Sequence, residues 1–138
     1  FRRVLFRSLV DRVADSELDA LLSSADAWLI PYRKDVAGVS VPSRFYNLLA
    51  AGRPVILVSE PEAEAALTVS ENGLGWVVTP GRPDQLADAV RLASRSQDTG
   101  MAERAVATAR SFSPERALAS YAALVAELLS DRDVERTA

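Results

Sequence analysis

The chain contains no cysteine and no histidine. Without cysteine it has neither a disulfide framework nor a thiol nucleophile. Without histidine it lacks the commonest general base and the commonest metal ligand. No metal is therefore expected, and a catalytic imidazole would have to come from outside this chain. No apolar stretch approaches the roughly 20 residues needed to span a bilayer. Charge of one sign is also scarce: 16 basic against 19 acidic residues leave a formal net charge of -3. Neither sign forms a long run, which argues against a basic nucleic-acid-binding face.

What is present suits one soluble domain. The 138 residues are 49% hydrophobic and 25% charged, enough for one core. The first residues, Phe1-Arg2-Arg3-Val4-Leu5-Phe6-Arg7-Ser8, do not include an initiator Met and resemble a translated sequencing adapter. A signal peptide would need a 7–15-residue apolar stretch and a cleavage site, and neither follows. Residues 1–8 are expected to be adapter read-through on a metagenomic fragment and are set aside for function. The expected domain covers 9–130, and the charged tail 131–138 is expected to fray.

From residue 9 onward, short apolar runs alternate with amphipathic stretches. Leu9–Val13 suits a short strand, and Asp15-Ser16 suits an N-cap for a helix carrying Leu18, Leu21 and Leu22. Ala27–Ile30, closed by Pro31, suits a strand buried on both faces. Residues 32–42 read as a loop. Ser43–Ala51 reads as a helix with Gly52 at its C′ position, followed by a strand over Pro54–Val58. A short helix over Glu62–Val69 and a strand over Gly75–Val78 come next. The remainder is helical. One helix starts at Pro83-Asp84 with Leu86, Ala89, Val90 and Ala93 on a stripe. A second covers Thr99–Arg110, and a last one is opened by Ser113-Pro114. The fold class expected is α/β: a partial Rossmann-like parallel sheet of about four strands, flanked by helices, with a helical C-terminal end. Ligands of such sheets sit beyond the carboxyl ends of the strands.

One segment carries chemistry. Between Gly38 and Ile56 the chain leaves a strand, crosses a loop, opens a helix and returns through a glycine to a strand. A helix start at that sheet edge offers unpaired N–H groups and a positive dipole end, a natural anion site. Gly38 permits close approach to a ligand, although it also suits a plain turn. At about 100° per residue, Phe45, Leu48 and Leu49 share the face toward the sheet. Ser43, Arg44 and Asn47 gather on the other side of the first turns. Arg44 can form paired hydrogen bonds to a phosphate, and Asn47 can both donate to and accept from a sugar diol. Ser43 also suits an N-cap. Tyr32, Arg33, Lys34 and Asp35 follow a strand end without singling out one site residue. Glu60, Glu62 and Glu64 read as solvated, and Trp28 and Trp76 as core rather than sugar platforms.

The run Pro42-Ser43-Arg44-Phe45-Tyr46-Asn47-Leu48-Leu49-Ala50-Ala51-Gly52-Arg53-Pro54-Val55-Ile56 resembles the signature of family 4 glycosyltransferases of the GT-B fold. It is most like the branch written Pro-Ser-Lys-x-Tyr-(Glu/Asn)-x-Leu-Ala-Ala-Gly-Arg-Pro-Val. Ala25-Asp26-Ala27 before a strand ending at Pro31, and Gly75-Trp76-Val77-Val78-Thr79-Pro80-Gly81, resemble flanking steps of the same family. The resemblance covers roughly residues 9–128.

The resemblance implies the C-terminal nucleotide-sugar-binding domain of a transferase that moves a sugar from a uridine-linked donor to a glycan, lipid or other acceptor, with retention. It places the amides of Gly38, Val39, Ser40 and Val41 near the donor sugar and phosphates. Ser43 and Arg44 fall at the helix start, Arg44 where Lys is usual. Asn47 stands where many members have a Glu that holds the ribose hydroxyls. Those members carry a second acid eight residues earlier, where this chain has Val39, so the two-carboxylate pattern is absent. Partners implied are a nucleotide sugar and an N-terminal domain of the same chain, to which the last helix crosses back. Nucleic acid is not among them. The location implied is bacterial cytoplasm, with room for peripheral association at the inner face of the membrane, in cell-envelope polysaccharide biosynthesis. The alternative from another class is a non-catalytic nucleotide- or partner-binding α/β module, which the missing histidine and missing acid pair favour.

Overall fold

The computed structural model describes residues 12–33, 43–96 and 98–137, with the side chains of Ser43 and of 130–137 left out. Three strands form a parallel sheet in the order β1-β2-β3, namely Trp28–Pro31, Val55–Val58 and Gly75–Val78. The register pairs Trp28 with Val55 and Val55 with Gly75. Helices α1 (Leu18–Ser24), α2 (Ser43–Ala50), α3 (Glu64–Glu71), α4 (Pro83–Ala93), α5 (Gly100–Ser111) and α6 (Pro114–Thr137) complete the order. This is the α/β class expected, with helices on both faces of a partial parallel sheet. Of the strand expected at Leu9–Val13, residues 9–11 lie outside the description, and Arg12 and Val13 have no regular structure. The described sheet has three strands.

Strand alternation sorts the core into two layers. Val55 and Leu57 of β2 point to one face, where Phe45, Leu48 and Leu49 of α2, Ala65, Ala66 and Val69 of α3, and Ala105 of α5 close over them. Ile56 and Val78 point to the other face and meet Ala89 of α4, with Leu86 and Ala93 beside it. Val90, expected on that stripe, is 50% exposed. The strand Trp28–Pro31 was expected to be buried on both faces, but it is covered on one. Trp28 and Ile30 pack into the first layer. Leu29 stays 48% exposed, because α4 covers β2 and β3.

Helix ends are satisfied partly as the sequence suggests. Gly52 takes φ +66, its N–H donates to Leu49 at 2.9 Å, and Arg53 N–H donates to Leu48 at 3.4 Å. This is the Schellman closure that a C′ glycine permits. Ser113 Oγ accepts from Arg116 N–H at 3.4 Å, with Pro114 opening α6 behind it. Asp15-Ser16 makes no such cap. Asp15–Glu17 is a 3₁₀ turn that feeds α1 without a side-chain cap hydrogen bond. The far end of α1 is capped by distant residues instead. The Trp28 indole donates to the Leu22 carbonyl at 2.9 Å, and the Arg53 guanidinium donates to Ser23 O. In the same way Arg104 of α5, held by Asp98 at 2.5 Å, donates to Gly73 O at 2.9 Å behind α3. Helix α3 begins at Glu64, two residues later than expected, after a turn through Pro61–Ala63.

The backbone of α6 remains helical to Thr137, through the tail expected to fray. Its apolar residues Leu118, Tyr121, Leu124, Val125 and Leu128 are 49–70% exposed.

Candidate functional site

Parallel strands joined by helices place all strand carboxyl ends and the starts of the following helices on one edge. That edge is closed by backbone bonds that extend the ladder: Tyr32 N–H to Val58 O and Ser59 N–H to Val78 O, both 2.9 Å. At β3 the Thr79 N–H donates to Gln85 Oε1 of α4 at 3.0 Å. Helix α2 starts on this edge. Phe45 and Leu49 are fully buried and Leu48 nearly so, which fixes the rotation of the helix. Arg44 and Asn47 are exposed on the opposite side. No hydrogen bond or ion pair holds either side chain among the described residues. Ser43 opens the helix. Gly38, Val39, Ser40 and Val41 lie outside the described residues, so the structure brings together the helix half of the expected site and is silent on the loop half.

The charge at this helix start differs from that of its neighbours. Helices α1, α3, α4, α5 and α6 each carry an acid in the first turn: Asp19, Glu64, Asp84, Glu103 and Glu115. Such acids offset the positive end of a helix. In α4 the Asp84 carboxyl is further held by Arg82 at 2.6 Å, which with backbone hydrogen bonds lowers its pKa to about 2. In α2 the first turn has no acid and carries Arg44 instead. Its first N–H groups, which have no partner within the helix, and the guanidinium therefore add to one positive field.

Two phenols neighbour each other here, Tyr46 on α2 and Tyr32 just beyond β1. Tyr46 is half-buried, with its ring 5.3 Å from Phe45 in an edge-on contact and 4.7 Å from Phe112. Tyr32 packs against the first core layer directly after Pro31. Its hydroxyl is buried and has no hydrogen-bond partner among the described residues. A buried hydroxyl left unpaired costs about 1–3 kcal/mol. Burial, then the neighbouring Tyr46, pushes the Tyr32 phenol above its ordinary pKa. Burial, then Glu64, does the same to Tyr46. Both phenols stay protonated near neutrality. The sequence offered one signal for Tyr32, a hydroxyl-bearing aromatic at the first position beyond a strand, but nothing that marked it as buried.

Other residues fall differently from expectation. Glu62 and Glu64 are exposed as expected. Glu60, read as solvated, is half-buried with one carboxylate oxygen shielded from solvent, because it sits where β2 runs into the turn before α3. Trp28 and Trp76 pack against the two core layers. Trp76 also lines an open groove of about 430 Å³ with Pro61, Thr79, Gln85 and Asp88, on the α4 side and without any of the expected site residues. Among the described residues no helix is long and apolar enough to cross a membrane.

Over 66 residues, 48% of this chain, the sequence is 35% identical to a protein of Pseudomonas aeruginosa named probable glycosyltransferase WbjE. The matched stretch spans 16% of that relative's length. No protein-family model matches the chain, and no solved structure matches it significantly.

Proposed function

We propose that this chain is part of the donor-binding domain of a glycosyltransferase of the GT-B fold, family 4. In this reading it holds a nucleotide sugar, uridine-linked, for transfer to a glycan, lipid or other acceptor. One observation carries the reading: the start of α2, at the carboxyl edge of a parallel sheet, has no first-turn acid and presents Arg44 and Asn47 exposed, without a partner among the described residues. The partial similarity to a protein named as a glycosyltransferase supports glycosyl transfer in general. The loop Gly38–Val41 would supply further amides to the donor.

The chemistry is electrostatic. As the bond from sugar to diphosphate breaks, negative charge grows on the leaving phosphate. The α2 amides and the Arg44 guanidinium meet that charge without reorganising, and no metal is required for the role. Ser43, at the first position of the helix, would add a hydroxyl beside the phosphate. Asn47, one turn in, holds a diol of the nucleotide ribose. The reading is tested on the full-length enzyme that carries this segment, by assaying release of nucleoside diphosphate from common sugar nucleotides in the presence of acceptor extracts. Turnover is expected with a uridine-linked donor. Failure with every donor and acceptor would remove the reading.

The glycine turn and basic residues that open such a domain are proposed to lie upstream of residue 9, and the last helix to pack on a separate N-terminal domain. Residues 9–138 alone are therefore expected to bind sugar nucleotides weakly or not at all. Calorimetry on this segment showing micromolar affinity would contradict that division. A second reading, a non-catalytic nucleotide-binding module, is favoured by Val39 and Asn47 standing where an acid pair is usual in the family the sequence resembles. It predicts nucleotide binding without turnover.

A further inference from the structure

We draw no further inference here: the strongest candidate, the exposed apolar face of α6 formed by Leu118, Tyr121, Leu124, Val125 and Leu128, carries nothing beyond the packing already proposed for the last helix, because nothing in the structure shows what covers it.

Discussion

Gly75→Ala is expected to abolish the folded state, or to lower stability by about 3 kcal/mol or more. Gly75 opens β3 at φ +152, a conformation that side chains rarely adopt. A Cβ built there would lie 1.9 Å from Val55 O and 2.8 Å from Val55 C and N. These are backbone atoms of the central strand, in register with Gly75, so no side-chain rotation relieves the overlap. The only relief is to move β3 off β2, which breaks the ladder and opens the layer of Val55, Leu57 and Leu74 beneath it. Domains of this size are stable by about 5–15 kcal/mol in total, so the loss is a large share. Gly81 provides the control. It too has positive φ, +81, but a Cβ there meets nothing within 4 Å. Gly81→Ala should cost only backbone strain, about 1–2 kcal/mol. Urea denaturation of both variants beside the wild type checks the ordering. Equal, small losses at the two positions would show that Gly75 does not approach Val55 as described.

The contrast between these glycines shows what could be read from the sequence. Gly52 was legible, because a glycine at the end of an apolar-periodic stretch is a local signal and the Schellman closure is a local structure. Gly75 looked like the ordinary start of a strand. Its constraint comes from Val55, 20 residues away in sequence, and only the register reveals it. The same division holds elsewhere. The three strands follow from short apolar runs bounded by Pro or Gly, and the inward face of α2 from the spacing of Phe45, Leu48 and Leu49. The exposure of Leu29 and the shielding of Glu60 depend on which helix lies over which strand. So do the capping of α1 by Trp28 and Arg53 and the burial of the Tyr32 hydroxyl. At the candidate site, Arg44 and Asn47 were legible because helical geometry fixes their side of α2. That no acid offsets this helix start became meaningful only when all six helices could be compared.

That comparison sets the second large effect, on turnover rather than folding. If the proposed donor-binding reading holds, Arg44→Ala in the full-length enzyme should lower kcat by about 10²-fold, near 2.7 kcal/mol of transition-state stabilisation, the scale for removing one charge-stabilising donor. The charge on the leaving diphosphate grows as the reaction proceeds, so the guanidinium matters more at the transition state than in the bound ground state, and kcat should fall more than KM rises. Arg44→Lys keeps the charge but loses the paired geometry, so it should restore only part of the rate lost in Arg44→Ala. Asn47→Ala should behave differently. A carboxamide holding a ribose diol contributes equally to ground and transition states, so KM should rise about tenfold with kcat little changed. Both side chains are exposed and outside the core, so melting temperatures should stay within a degree or two of wild type. Steady-state kinetics with a varied nucleotide-sugar donor separates the patterns. Unchanged kinetics in both variants would dismiss both assignments. Weakened nucleotide binding by a wild-type protein that never turns over would favour the non-catalytic module. A kcat loss at Arg44 set against a KM loss at Asn47, with the fold intact, would place the leaving-group charge on the first turn of α2 and the nucleoside one turn further along it.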